Sequence, residues 1–282
     1  MHKGVKMKKI ILCLMFVLFT LSFGQEKVKV VSFNIAAGAK NFKVDLNKTA
    51  EAIKALDADI LGLQEIDRMT KRSGNIDQLK ILADLTGYNF VYGKTIDFDG
   101  GEYGIGILTK HKIVKAEKVE LPNEVNEEPR VALMAQIKID GIEEPINFIN
   151  THLGIVLNAK TEEELARDSY IRVRQAKVIN DYAAKLNGVK FLAGDMNDPL
   201  NSDAITVLKS SWVSVIKEET PNTLTYPANN PYKGIDFVFV NPETKWDAEY
   251  LIPSTEEARK ETGIDWRIIS DHLPVIATFE VK

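Results

Sequence analysis

The stretch Phe191-Leu192-Ala193-Gly194-Asp195-Met196-Asn197-Asp198 constrains the fold more than any other part of the chain. An apolar run stops at a glycine and then presents an acid, a spacer and an amide. A strand that is apolar at successive positions is covered on both faces, so its polar residues collect at its ends. A spacing of two puts Asp195 and Asn197 on one side while the extended conformation lasts. The first can accept a proton or orient a water, and the second can donate hydrogen bonds to an oxyanion. Alone, Gly-Asp-x-Asn is what any strand running into a polar turn produces. Its meaning depends on what stands at the other strand ends.

The segment before Gln25 is of a different kind. Lys8 and Lys9 precede the apolar run Ile10 to Phe19, and Ser22 and Gly24 follow two apart. A basic start, a short apolar centre and small residues at the end make a secretory signal peptide over residues 1–24, with Met7 a better start than Met1. The apolar run is short for a bilayer span, so no membrane anchor is expected. Export to the periplasm or the medium follows, and the remaining 25–282 read as one catalytic domain. Cleavage removes the only cysteine, Cys13, which excludes disulfides and thiol chemistry. It also removes four lysines, leaving 32 basic against 40 acidic residues and a net charge of −8. Such a chain has no global attraction for nucleic acid or an anionic membrane. A monomer is the expected state.

Strand-like runs outnumber helical ones along the rest of the chain. Val28–Phe33, Asp59–Gln64, Tyr103–Thr109, Val131–Ile139, Ile146–Ile149 and Gly234–Val240 are rich in β-branched and aromatic residues. Helices are expected after Asp45, from about Asp77 to Leu85 with Gly87 as stop, and between Thr161 and Leu186, where Thr161 and Glu164 make a capping box. The glycines at 101, 104 and 106 do not have the dinucleotide-binding spacing and read as close strand packing. No linker, repeat or low-complexity tract divides the chain. Interspersed strands and helices make one α/β domain with a large sheet or two packed sheets.

Polar groups stand at several strand ends: Asn34, Glu65, His152, Asp195 with Asn197, and Asp271 with His272, while Asp236 opens another strand. Each alone is an ordinary turn or surface residue. Together they make chemical sense. Asn34 and Glu65 are hard oxygen ligands that suit Mg²⁺ better than Zn²⁺, and neither a cysteine cluster nor a His-x-x-x-His spacing suggests zinc. Two histidines, each with an acid at hand, can handle protons on opposite sides of a phosphorus centre.

The order Ser32-Phe33-Asn34, Leu63-Gln64-Glu65, Asn150-Thr151-His152, Gly194-Asp195-Met196-Asn197, Ile235-Asp236-Phe237 and Ser270-Asp271-His272 resembles the endonuclease/exonuclease/phosphatase superfamily. Deoxyribonuclease I, exonuclease III, inositol-polyphosphate 5-phosphatases and neutral sphingomyelinases belong to it. The resemblance runs from about Val28 to the C-terminus. Arg68–Gln78, Gly100–Gly104 and Glu128–Arg130 are similar to a secreted bacterial branch, from which Ile105 departs where asparagine often follows the glycine. The resemblance implies a four-layered α/β/β/α sandwich of two packed mixed sheets, with the site where the sheets meet. It implies that Asn34 and Glu65 hold Mg²⁺, with Mn²⁺ as a substitute and one or two ions. Asp195 would orient or deprotonate the attacking water, with His272 the other candidate base, and Asn197 would bond the phosphoryl oxygens. His272, held by Asp271, would contact the scissile phosphate; His152, oriented by Asp236, would assist the phosphate or the leaving group. Arg68, Arg72 and Arg130 are candidates to grip a second phosphate or a head group.

The implied activity is metal-dependent hydrolysis of a phosphodiester or phosphomonoester. A nuclease is slightly favoured over a phosphoesterase acting on sugar, inositol or lipid head groups. Tyr226 and Tyr232 can stack on a base or sugar. The reading from another class is an inactive binding protein that keeps the fold, and the intact set of site residues speaks against it.

Overall fold

The computed structural model describes residues 26–40, 43–124, 127–155 and 160–282. The expected signal peptide lies outside the described residues. The elements run β1 (Lys27–Asn34), β2 (Ala39–Lys40), β3 (Lys43–Val44), α1 (Leu46–Leu56), β4 (Ile60–Arg68), α2 (Gln78–Thr86), β5 (Asn89–Phe98), β6 (Gly101–Thr109), β7 (Lys112–Glu120), β8 (Val131–Lys138), β9 (Ile146–His152), α3 (Glu162–Ala183), β10 (Lys190–Asp195), α4 (Asp203–Lys209), β11 (Val213–Ser214), β12 (Asp236–Val240), β13 (Asp247–Leu251), α5 (Glu256–Thr262) and β14 (Val275–Glu280).

The helices begin where local chemistry dictates. The Asp45 carboxylate accepts from the Lys48 backbone N–H, Asp77 does the same for Lys80, and Thr161 and Glu164 close a reciprocal box. Each satisfies a backbone donor that the first turn leaves orphaned. Gly87 ends α2 in the left-handed conformation.

Two six-stranded sheets result, ordered β13-β14-β1-β4-β6-β5 and β11-β12-β10-β9-β8-β7. Each is mixed, with one parallel pair at its centre: β1 with β4, and β9 with β10. These central strands face each other across a core that includes Phe33, Leu63, Phe148, Phe191 and Phe237. Helices α1 and α2 flank the first sheet, and α3 and α4 the second, which gives the expected four layers. The short helices α4 and α5, capped by Ser202 and Thr255, did not stand out in the sequence.

A polar brace crosses the dry layer between the sheets. Asn150 Nδ2 donates to the Leu63 and Gly106 carbonyls at 2.9 and 2.8 Å, and Asn150 Oδ1 accepts from Gln64 Nε2 at 2.7 Å. Gly62 leaves room for it: a Cβ there would lie 2.7 Å from Asn150 Oδ1. Gly194 is needed for a similar reason, since a Cβ would lie 2.2 Å from the Thr151 carbonyl of the neighbouring strand.

Candidate active site

Strand register assembles the site. In the second sheet His152 pairs with Asp195, and Asp195 pairs with Asp236, so three site residues stand side by side on neighbouring strands. Directly paired residues face the same way. In the first sheet Asn34 ends β1, and Glu65 sits where the β4–β6 register shifts between Leu63 and Ile66. Glu65 has φ +58°, the left-handed region, so its carboxylate leaves the regular strand alternation. It lines a cavity of about 800 Å³ together with His152, Asp195, Asn197, Asp271 and His272. The two sheets meet through Asn34, whose Nδ2 donates to Glu65 Oε1 and to Asp195 Oδ2, both at 3.0 Å. The Ser270 hydroxyl, donating to the Asn34 carbonyl at 2.7 Å, fastens the loop before β14 to this point.

The acid–imidazole pairs differ from those the resemblance implied. His272 Nδ1 bonds Asp236 Oδ2 at 2.9 Å, while the exposed Asp271 has only a 3.5 Å contact from the Ser270 hydroxyl and does not hold His272. His152 is oriented by Arg130, whose Nη1 lies 3.1 Å from His152 Nδ1. A guanidinium has donors only, so Nδ1 accepts and the His152 proton resides on Nε2. That Nε2 is 3.5 Å from Asp195 Oδ2, and His272 Nε2 is 3.7 Å from the same oxygen. Asp195 Oδ2 is thus flanked by two imidazoles at distances beyond a good hydrogen bond.

The charges follow from these neighbours. Burial, the nearby Arg130 and then His272 drive the His152 pKa well down, so it stays neutral. Burial opposes charge on His272 too, but Asp236 and Asp195 outweigh it and push its pKa up to about 10. Asp195 is pushed up to about 7 by burial and by the Asp236 carboxylate; His272, the Asn197 backbone N–H and the Asn34 amide oppose the shift.

Four carboxylates, Glu65, Asp195, Asp236 and Asp271, gather here against the charged His272 and the Glu128-paired Arg130, and Asp236 Oδ1 is buried without a hydrogen-bond partner among the described residues. This surplus of hard, negatively charged oxygen fits a divalent cation. Asn34 presents its NH₂ to the carboxylates while Oδ1 accepts from the Ala36 backbone N–H at 3.0 Å, so it becomes an oxygen ligand only on amide exchange. Asp195, Asp236 and His272 also have ligand atoms within 4.8 Å of one another. Two of those three already bond each other, so the cluster is less free to bind an ion than Glu65.

Asn197, at φ +51°, spends its backbone N–H on Asp195 Oδ1 (2.9 Å) and its Nδ2 on the Leu153 carbonyl (3.0 Å). It holds Asp195 in place, and the second N–H of its amide remains for a phosphoryl oxygen in the cavity it lines. Of the three arginines, Arg130 alone lines the cavity. Arg68 is tied to Asp77 and Glu102, and Arg72 clamps the buried Asp67 bidentately at 2.7 Å while stacking on Phe98 and Tyr103. Neither is placed to grip substrate. Reading the sequence missed Glu164 and Arg167, which line the cavity from α3, because only the docking of that helix brings them there.

A family model described as "Endonuclease/Exonuclease/phosphatase family" matches residues 31–272. An endonuclease/exonuclease/phosphatase structure from Beutenbergia cavernae DSM 12333 is similar at 18% identity, with 91% of this chain and 72% of that one covered and a TM-score of 0.71. A mannosyl-6-phosphatase from Bacteroides thetaiotaomicron VPI-5482 is similar at 18% identity, with 89% and 98% covered and a TM-score of 0.64. Truncated TDP2 from Caenorhabditis elegans is similar at 19% identity, with 90% and 98% covered and a TM-score of 0.64. Comparison with functionally curated sequences returns no match.

Proposed function

The chain belongs to the endonuclease/exonuclease/phosphatase family, whose members hydrolyse phosphoester bonds, and from this premise we propose that it is a Mg²⁺-dependent phosphoesterase acting outside the cytoplasm. The observation that carries the reading is the row His152–Asp195–Asp236, set by strand register, with His272 locked onto Asp236 and Glu65 across from it. The signal-peptide-like segment 1–24 supports export.

Glu65 would hold the cation, with the Asn34 oxygen after amide exchange, and Mn²⁺ would serve in place of Mg²⁺. When bound, the ion polarises the phosphoryl group and neutralises its charge. The residues do the rest. Asp195 in its ionised form accepts the proton of the attacking water as the new O–P bond forms and the bond to the leaving oxygen breaks. The charged His272 donates from Nε2 to the phosphoryl oxygens, where negative charge builds. The neutral His152 donates through Nε2–H to the phosphoryl or leaving oxygen. Asn197 and Asn34 hold Asp195 in register.

Turnover of p-nitrophenyl phosphate and bis(p-nitrophenyl) phosphate by residues 25–282, with Mg²⁺ or with EDTA, tests this. Hydrolysis should require the cation. Asp195→Asn should lower kcat by about 10²–10⁴-fold, the usual worth of a positioned base. Retention of activity in EDTA, or in Asp195→Asn with metal bound, would overturn the proposal.

A further inference from the structure

The catalytic row forms only part of the cavity wall. The rest comes from segments on either flank of the β9–β10 pair, because β8 lies on one side and β12 on the other. The segment before β8, together with α3, contributes two ion pairs: Glu128 Oε1 to Arg130 Nη1 at 2.9 Å and Glu127 Oε1 to Arg167 Nη2 at 3.1 Å. Arg130 is 5% exposed at its side chain, and its Nε has no hydrogen-bond partner among the described residues. The segment before β12 contributes Tyr226, whose ring lies 4.8 Å from that of His272, and Tyr232, 63% exposed.

These walls suit one kind of ligand. A polyanion needs cations that are not already neutralised, since the phosphate backbone supplies most of its affinity. Here both flanking arginines are matched by glutamates, Lys233 is the one further cation among the described lining residues outside the catalytic row and lies 5.7 Å from the Tyr232 ring centre, and the whole chain carries a net charge of −4. A carboxylate beside a guanidinium offers acceptors and donors together, which is what a hydroxyl, itself donor and acceptor, can use twice. An exposed tyrosine ring offers a flat apolar surface to the C–H face of a saturated ring. The cavity volume of about 800 Å³ is that of a small-molecule site.

We infer that the substrate is a phosphate ester of a polyhydroxylated ring, a sugar or cyclitol phosphate, with its phosphate at the catalytic row, its hydroxyls on the Glu128–Arg130 and Glu127–Arg167 pairs and its ring face against Tyr232. The inference rests on the phosphoesterase reading and narrows it away from nucleic acid. Burial also pushes the Glu128 carboxyl pKa upward, which favours a ligand that hydrogen-bonds to this wall over one that brings more negative charge.

The test measures kcat/KM for the Mg²⁺-loaded protein on hexose 6-phosphates, inositol 1-phosphate, p-nitrophenyl phosphate, bis(p-nitrophenyl) phosphate and plasmid DNA. A hexose phosphate or the inositol phosphate should exceed the generic esters by about 100-fold, the worth of two to three added hydrogen bonds. Which of the two leads identifies the ring. Glu128→Gln and Tyr232→Ala should each lower that preference about tenfold or more, chiefly through KM. Tyr232 is at the surface, so its variant folds whatever the fate of Glu128→Gln. Cleavage of plasmid as efficient as that of the ring phosphates, or an unchanged preference in Tyr232→Ala, would overturn the inference alone. Failure to turn over any ester would overturn the phosphoesterase reading and this inference with it.

Discussion

Replacing Asn150 by alanine removes the brace between the two sheets. Three buried hydrogen bonds go with it: two to the Leu63 and Gly106 carbonyls and one from Gln64 Nε2. Gln64 keeps weaker contacts to Ser32 Oγ at 3.4 Å and the Gly62 carbonyl at 3.3 Å, so its loss is partial. The two carbonyls lose a partner in a layer that water does not reach, at about 1–3 kcal/mol for each orphaned group. A void of amide size adds about 1 kcal/mol. The sum is about 3–7 kcal/mol, a large part of the stability of an ordinary domain. In urea, with a slope of about 3 kcal/mol per molar for a domain of this size, the midpoint should fall by about 1 M or more. Turnover should fall as well, because Gln64 precedes Glu65 in the irregular stretch that aims its carboxylate. A midpoint shift below about 0.3 M, or roughly 1 kcal/mol, would refute the claim that the brace holds the sheets together.

Two further predictions rest on single clusters. Nitrogen-15 NMR of the histidine rings should show His152 neutral with its proton on Nε2 at pH 7, and Arg130→Met, which leaves Nδ1 without a donor, should give a mixture of tautomers; a wild-type proton on Nδ1 would contradict the arrangement. At Asp67, burial alone would raise the pKa, but bonds from Arg72, Ser73 and Thr70 hold it below the ordinary carboxylate value of 3.8. A carboxyl depressed in the folded state adds stability that is fully present above its unfolded pKa and is lost as pH falls through the folded one. The urea midpoint difference between wild type and Arg72→Met should therefore be constant from about pH 8 to pH 5 and shrink below about pH 4. A difference that persists or grows in acid would show that the bidentate pair does not set the Asp67 charge.

The positions of most site residues along their strands were legible in the sequence, and so were the main helix starts; Glu65, expected at a strand end, instead sits inside β4 where its ladder is irregular. Strand ends and helix starts are local matters. A strand buried on both faces carries polar groups chiefly at its ends, so Asn34, His152, Asp195 and Asp236 stood out against apolar runs. A helix start shows itself through a cap a few residues away, as at Asp45 and Thr161. Adjacency in sequence misled at Asp271 and His272, because the bend before β14 leaves Asp271 exposed while it buries His272. Strand order decided instead: β12 lies beside β10, which brings Asp236 next to Asp195 and under His272. The partner of His152 came from 22 residues away, and a guanidinium rather than a carboxylate chose its tautomer. Arg68, Arg72 and Arg130 offered the same charge in sequence and all three pair with carboxylates, but of the three Arg130 alone lines the cavity. The sequence by itself determined which chemical groups stand at the strand ends, since burial sorts residues by polarity along each strand. Only the tertiary structure decided which of those groups meet, since hydrogen bonds and charges are satisfied by neighbours in space.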